Sequence, residues 1–233
     1  MSGKLNKQGR AIVTVGLSVL AAIGIALFIT VNLSPLFIHV PSQRQIGLSP
    51  QQVRADYWRL IFYLQQPWPG QLQLRNIPLT TQAINHFGDV RRLLLIGEAV
   101  GFISLVGVLR LLSRQKRQGQ LLRVLLPLKW LMYLLVMVAW LPLVNFSTDF
   151  IHFHQFVFHN HDWIFVPHRD PIILLMPERF FWHLLVILVI LILGLLGILW
   201  GWLAIQLGLL KLRPDKTNNR WNQGHNDDRQ NDN

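Results

Sequence analysis

Five histidines lie within seventeen residues in the second half of the chain. They are His152, His154, His159, His161 and His168. Imidazole exchanges protons near neutral pH, and it also binds zinc, copper and nickel. The segment is therefore a candidate for acid–base catalysis or for metal binding. Each single histidine is also compatible with a polar loop that has no chemical role.

A further histidine, His86, precedes a long apolar stretch that begins at Leu93. Thr80 or Thr81 can cap a helix that runs through His86 into this stretch. Asp89 follows His86 by three residues, so on a helix the two side chains share a face. Seven residues of helix rise roughly 10 Å, which places His86 at the depth of lipid headgroups if the stretch crosses a membrane.

Composition excludes several other chemistries. The chain has no cysteine, which removes disulfides, cysteine-ligated zinc, iron–sulfur clusters and thiol nucleophiles. It has no G-x-S-x-G and no H-E-x-x-H motif, so neither a serine acyl-enzyme nor a zinc protease is indicated. We expect no cofactor and no metal.

The 233 residues are 52% hydrophobic and only 14% charged, with a mean hydropathy of +0.35. A soluble domain carries about 25% charged residues, so an ordinary soluble protein is not expected. The net charge of +11 indicates a membrane orientation signal rather than a nucleic-acid partner in so hydrophobic a chain. Four stretches reach the roughly 20 apolar residues of a membrane span. They are residues 11–32, 93–112, 125–144 and 184–210.

Lysine and arginine near the span ends predict the orientation. They cluster in the N-terminal tail, in the short loop between spans two and three, and at the start of the C-terminal tail. With four spans both termini lie on one side, which these charges predict to be cytoplasmic. The first span is interpreted as an uncleaved anchor, because its apolar run is longer than that of a signal peptide. The first outer segment also holds six arginines, but it is about 60 residues long, where the rule weakens.

The outer segments, residues 33–92 and 145–183, must then hold the chemistry. Ser49 and Pro50 predict the start of an amphipathic helix that ends near Gln66, and Gln71–Leu74 is a candidate strand. That helix is expected either to lie on the membrane or to pack on the outer domain. The fold class expected is an all-α membrane protein: four transmembrane helices with an extracytoplasmic cap of amphipathic helix and short strands. Residues 213–233 are polar and are expected to form a disordered cytoplasmic tail.

The order of several short motifs resembles the lipoprotein intramolecular transacylase family. The motifs are His86-Phe87-Gly88-Asp89-Val90 before span two, Phe153-His154-x-Phe156-x-Phe158-x-Asn160-x-x-Trp163 after span three, and then Asp170-Pro171 and Pro177-Glu178-x-Phe180-Phe181. The early Leu48-Ser49 helix start and its Tyr63-Leu64 end also fit. The resemblance covers most of the chain except the C-terminal tail.

The resemblance implies an acyltransferase that acts on diacylglyceryl-modified lipoproteins in the outer leaflet of the membrane. It implies movement of the sn-2 acyl chain from glycerol to the α-amine of the lipidated cysteine, which gives a lyso-form, N-acylated lipoprotein. One histidine from each outer motif is implied to be catalytic, and these are His86 and His154.

The residues themselves are compatible with this chemistry. Histidine is a suitable base for an α-ammonium group with a pKa near 8, and a second histidine can protonate the departing glycerol oxygen. An imidazole that carries the acyl chain covalently is equally compatible. Asp89 is a candidate for orienting His86, and the candidates for stabilising an oxyanion are Arg92, Asn160 and Trp163.

One acidic residue has no assigned role in this reaction, and the paired histidines support a different function. Glu98 lies within span two, where an acid is costly and often functional. The pairs His152/His154 and His159/His161 support an alternative, a non-enzymatic membrane protein that binds or senses metal. H-x-H pairs suit a strand or an extended loop, so this alternative predicts that the paired histidines act together.

Overall fold

The computed structural model describes residues 6–139 and 145–210. Within these ranges all the regular secondary structure is helical. The α-helices are α1 (Lys7–Leu33), α2 (Gln43–Ile46), α3 (Pro50–Gln65), α4 (Thr81–Arg117), α5 (Leu122–Ala139), α6 (Phe146–Val157) and α7 (Glu178–Gln206), with two short 3-10 helices, Ser34–Leu36 and Pro171–Leu175. The tail predicted to be disordered lies outside the described residues.

Four of these helices, α1, α4, α5 and α7, are long and apolar enough to cross a membrane. The expectation of four apolar helices is therefore confirmed. Their apolar side chains form one core, in which Val108, Leu128, Leu196 and Leu203 are buried. Large apolar side chains on the outside of the same helices remain exposed, as expected for surfaces that contact lipid.

Helices α1 and α4 approach each other closely at glycines. A Cβ atom on Gly24 would lie 2.5 Å from the Cα of Gly101, and a Cβ on Gly101 would lie 2.5 Å from the Cα of Gly24. Glycine is required at such a contact because any side chain would force the two backbones apart. This crossing fixes the position of α4 in the bundle.

Helix α4 is a single unbroken helix of 37 residues. At 1.5 Å per residue it is about 55 Å long, which exceeds the roughly 30 Å of hydrocarbon in a bilayer. Since its apolar stretch begins at Leu93, the first three turns, residues 81–92, lie beyond the membrane-spanning part. The expectation that the helix bearing His86 continues into span two is confirmed.

We refer to residues 34–80 and 145–177, which lie between the spans, as the cap. The cap has its own apolar core, formed by α3, residues 72–77, the first turns of α4, the Pro171–Leu175 helix and the start of α7. Ser49 and Gln52 exchange reciprocal hydrogen bonds at the start of α3, as the Ser49–Pro50 signal predicts.

The predicted apolar face of α3 packs into this cap core. Its members, Val53, Tyr57, Leu60, Ile61 and Leu64, are all buried. Of the two expectations for this face, packing on the outer domain is therefore the one that the structure shows.

The expected short strands are absent from the part of the chain that the structure describes. Residues 71–74 are irregular, and the three amides that follow are held by a side chain instead of a strand partner. The buried carboxylate of Asp56 accepts hydrogen bonds from the backbone N–H groups of Arg75 (3.0 Å), Asn76 (2.7 Å) and Ile77 (2.9 Å). Because one carboxylate satisfies three donors, the segment packs on α3 without a sheet.

We predict that Gly101→Leu destabilises the bundle by about 3 kcal/mol, because the new side chain meets the backbone of α1. The matched control is Gly16→Leu on α1, where an added Cβ meets nothing within 4 Å. Thermal unfolding of the two purified variants in detergent measures the difference. Equal unfolding midpoints would show that the glycine crossing is not a close contact.

Candidate active site

The structure brings His86 and His154 together. His86 lies in the second turn of α4, and His154 lies near the end of α6. Their ring centroids are 6.0 Å apart, and the residues are 7% and 8% exposed, respectively. His154 is the one residue of α6 that is buried, so the helix directs this side chain alone towards α4.

The hydrogen bond of His154 fixes its tautomer. Its Nδ1 atom lies 2.7 Å from the backbone carbonyl oxygen of Phe150. Because a carbonyl oxygen only accepts hydrogen bonds, Nδ1 carries the proton, and in the neutral ring the lone pair is on Nε2. Burial lowers the pKa of His154, and the bond to Phe150 opposes this shift. The ring is therefore neutral at pH 7, with a free basic nitrogen.

His86 is also held in the neutral form. Burial, followed by repulsion from His154, lowers its pKa to about 4, against the attraction of Asp89 and Asp162. Among the described residues its Nδ1 atom is buried and has no hydrogen-bond partner. Since the two rings repel each other when both are charged, a proton on one ring disfavours a proton on the other.

Aromatic rings enclose both imidazoles. Phe158 and Phe165 meet His86 edge to face, at centroid distances of 5.0 and 5.5 Å. His154 lies 4.1 Å from Phe150 and 5.1 Å from Trp163, measured between ring centroids. The enclosure keeps water away from the imidazoles, which strengthens any electrostatic interaction formed there.

The four supporting residues predicted from sequence form one network rather than a set of free donors. Asn160 donates from Nδ2 to Asp89 Oδ2 (3.0 Å), and the Trp163 indole donates to the backbone carbonyl of Asn160 (3.0 Å). The mostly exposed Arg92 lies 3.5 Å from Asp89. Asp89 forms no hydrogen bond with His86 within residues 6–139 and 145–210. Its carboxylate instead ties α4 to the loop that carries Trp163.

Sequence reasoning missed Gln82, which makes a second tie on the other side of His86. Its side-chain amide donates to the backbone carbonyls of His161 (3.0 Å) and Ile164 (3.1 Å), and its oxygen accepts from Arg169 (2.8 Å). Gln82 lies one helical turn before His86, on the same face of α4. That spacing is the sequence signal that would have found it. Asp162, in the same loop, was also missed.

Residues 158–165 are therefore held on α4 by the hydrogen bonds of Gln82 and Asp89. We call this pair of attachments the loop clamp. Gln82 bonds to the carbonyls of His161 and Ile164 and Asp89 bonds to Asn160, and His86 lies between Gln82 and Asp89 on the helix. Further along, Thr80, which caps α4, donates to the buried carboxylate of Asp170. The Asp170-Pro171 motif thus fixes the exit of this segment at the start of the helix.

A sequence profile described as lipoprotein intramolecular transacylase Lit matches residues 11–181. The chain belongs to this family. Among solved structures it is similar to the integral membrane lipoprotein intramolecular transacylase Lit of Bacillus cereus, with 22% identity, a TM-score of 0.74, and 88% of this chain and 98% of that chain covered. A variant of that protein with one histidine replaced by arginine matches at 21% identity and a TM-score of 0.70, over 87% and 94% of the two chains. No curated protein sequence matches the chain.

The metal-binding alternative is not favoured. His152 and His154 lie on a helix, not on the strand or extended loop expected for an H-x-H pair, and two residues apart on a helix they face different directions. His152, His159 and His161 are exposed whereas His154 is buried. Within the described ranges no group of three or more His, Cys, Asp or Glu side chains is placed to hold a metal ion.

We predict that Gln82→Leu loosens the loop clamp. Loss of two hydrogen bonds to the loop should raise amide hydrogen exchange in residues 158–165 roughly tenfold. Gln51→Leu, at an exposed position at the start of α3, is the control and should leave these amides unchanged. Unchanged exchange in both variants would show that Gln82 does not hold the loop.

The lowered pKa of His86 also predicts a pH-dependent stability. Between pH 6.5 and about 4 the unfolded chain binds a proton on this ring that the folded chain excludes, so the free energy of unfolding falls as pH falls across that window. From about pH 7.5 to about pH 5 the loss should be about 2 kcal/mol. His86→Asn should remove this part of the loss. Thermal unfolding of both proteins at the two pH values measures it, and the same loss in the variant would contradict the shift.

Proposed function

We propose that this chain moves the sn-2 acyl chain of a diacylglyceryl-cysteine lipoprotein from its glycerol oxygen to the cysteine α-amine. The amine nitrogen attacks the ester carbonyl, a C–N bond forms, and the C–O bond to glycerol breaks. One proton leaves the amine and one joins the glycerol oxygen, so the reaction is balanced without another reactant. The product is an N-acylated lyso-lipoprotein, and we expect neither a cofactor nor a nucleic-acid partner.

The observation that carries this proposal is the pair of buried, neutral imidazoles of His86 and His154. Once the amine is neutral, the reaction needs a base that takes one proton from the attacking nitrogen and an acid that gives one proton to the departing glycerol oxygen. Two adjacent imidazoles meet both needs, because the proton taken from the nitrogen is the proton returned to the oxygen.

The tautomer of His154 supports its role as the base. Its free Nε2 lone pair is aimed away from the Phe150 carbonyl, so it is available to the amine. His86 then serves as the partner that carries the proton towards the glycerol oxygen. The carboxylates of Asp89 and Asp162 attract a proton to His86, which stabilises the imidazolium formed during transfer.

The aromatic enclosure supports acyl transfer rather than hydrolysis. Water that reached the ester would compete with the amine, and the rings of Phe158, Phe165 and Trp163 occupy the space around the imidazoles. The same rings offer an apolar surface to the acyl chain that moves. Asp89, Asn160 and Trp163 contribute by holding this enclosure in place, with Arg92 at its edge.

We place the site on the extracytoplasmic face of the bacterial cell membrane, with both termini in the cytoplasm. This orientation is supported by the lysines and arginines of the N-terminal tail and of the α4–α5 connection. The substrate's acyl chains lie in the outer leaflet, and His86 lies roughly 10 Å above Leu93 along α4, at the level of the lipid headgroups.

The proposal predicts that His86→Asn and His154→Asn each lower the yield of lyso-lipoprotein by at least about 100-fold. His152→Asn is the matched control, since it changes an exposed histidine of the same helix and should retain activity. Lipoprotein N-terminal peptides from cells that express each variant, analysed by mass spectrometry, give the yield. Full activity in both site variants, with the proteins inserted in the membrane, would remove the proposal.

Adding hydroxylamine to the same assay distinguishes a covalent acyl-imidazole route from direct transfer to the amine. If His154 Nε2 attacked the ester, an acyl-imidazole would form and hydroxylamine would capture the chain as a hydroxamate. Direct transfer gives no hydroxamate. Either result retains the two histidines and decides between base and nucleophile.

A further inference from the structure

Helix α3 carries a second set of large apolar residues on the face opposite the cap core. Trp58 is 54% exposed and Phe62 is 67% exposed, and Trp68 in the loop after the helix is 61% exposed. These three side chains form what we call the aromatic surface. On a cap surrounded by water, three large exposed aromatic residues on one helix and the loop that follows it would be unusual.

Trp58 and Phe62 of the aromatic surface line an open groove of about 570 Å³ between α3 and residues 71–73. Its lining includes Arg59 and the amide side chains of Gln66, Gln71 and Gln73, and it includes no acid. Asp56 is fully buried. Its carboxylate accepts hydrogen bonds from the backbone of the following segment and also lies 3.5 Å from Nε of Arg59. The groove therefore combines aromatic rings, amide donors and one guanidinium group.

Arg91 fixes the distance between this surface and the start of the apolar stretch of α4. Its guanidinium donates to the backbone carbonyls of Gln66 (3.0 Å), Trp68 and Gly70 (3.4 Å) and lies 5.0 Å above the Tyr63 ring centroid. Arg91 stands two residues before Leu93, where the apolar, exposed part of α4 begins. The end of α3 and Trp68 are thus held within about 10 Å of the hydrocarbon boundary, which is the depth of the headgroup layer.

We propose that the aromatic surface is immersed in the phospholipid headgroup layer on the cap side of the membrane. Tryptophan is favoured at this depth because its ring is apolar and its N–H can bond to headgroups and water. The Nε of Arg59 lies 3.5 Å from the buried Asp56, and the exposed part of the Arg59 side chain is available to the phosphates. No acidic residue lines the groove. The surface is continuous with the lipid-facing side of α4 through Arg91, so the membrane itself is the occupant, rather than a protein partner.

This contact anchors the cap at a fixed depth. Arg91 lies five residues after His86 on the same rigid helix, so the lipid contact and the histidine pair keep a constant vertical offset of about 8 Å. The inference does not depend on the proposed function, because it concerns how the cap sits on lipid in the absence of any substrate.

The absence of cysteine allows a direct test with single-cysteine variants that each carry one fluorescent label. Ala55→Cys and Gln71→Cys place the label in the groove and alter small or exposed positions. His168→Cys is the control. His168 lines the same pocket as Pro78, which precedes the first residue of α4, Thr81. Thr81 is about 18 Å along the helix from Leu93. The labelled proteins are reconstituted in vesicles of phosphatidylcholine and phosphatidylglycerol that contain nitroxide lipids.

We expect nitroxides on the headgroup or high on the acyl chain to quench the labels at residues 55 and 71 at least about threefold more than the label at 168. Adding Trp58→Gln and Trp68→Gln to the Ala55→Cys variant should reduce that quenching, with thermal unfolding as the check that the cap remains folded. Equal lipid quenching at all three sites, with a water-soluble quencher reaching residues 55 and 71 freely, would overturn the proposal. So would protection of those labels from both quenchers, since a protein surface would then cover the groove.

Discussion

The attachment of residues 158–165 to the first turns of α4 is the interaction on which the site depends. Neither histidine is positioned by its own segment alone. His86 stands on a part of α4 that precedes its apolar stretch, and His154 lies near the end of a short helix whose other residues are exposed or half-buried. The hydrogen bonds of Gln82 and Asp89 on either side of His86 bring Phe158, Phe165 and Trp163 over the two rings.

The same attachment explains the electrostatics of the pair. Without the aromatic loop, both imidazoles would face water and titrate near their ordinary pKa of 6.5. With it, burial lowers both pKa values and keeps both rings neutral. It outweighs the attraction of Asp89 and Asp162 at His86 and the hydrogen bond to Phe150 at His154. The hydrogen bonds of Gln82 and Asp89 therefore hold the aromatic side chains of residues 158–165 in place. Those aromatic side chains bury the two imidazoles and so keep them neutral. Arg91 makes a further attachment closer to the apolar stretch of α4, because it joins this helix to the backbone carbonyls at the end of α3.

The sequence predicted those features that depend on local pattern. Apolar length located the four spans, a capping serine and proline located α3, and the motif order indicated the family. The long-range pairings were not accessible to such reasoning. Asp56 accepts from amides about twenty residues away, which replaced the expected strand, and Asp89 bonds to Asn160 rather than to its helical neighbour His86. The helical conformation of residues 152–154 also differs from the extended one that the metal-binding alternative requires, because α6 buries a single histidine instead of pairing two.

The most direct test is the position of the acyl chains on a lipoprotein after exposure to this protein. A host that cannot N-acylate lipoproteins would be compared with and without the chain, and the N-terminal peptide would be fragmented in the mass spectrometer. The account predicts an unchanged total mass, with one chain on the α-amine and one remaining on glycerol. Two chains still on glycerol, or a peptide heavier by a third chain, would contradict it.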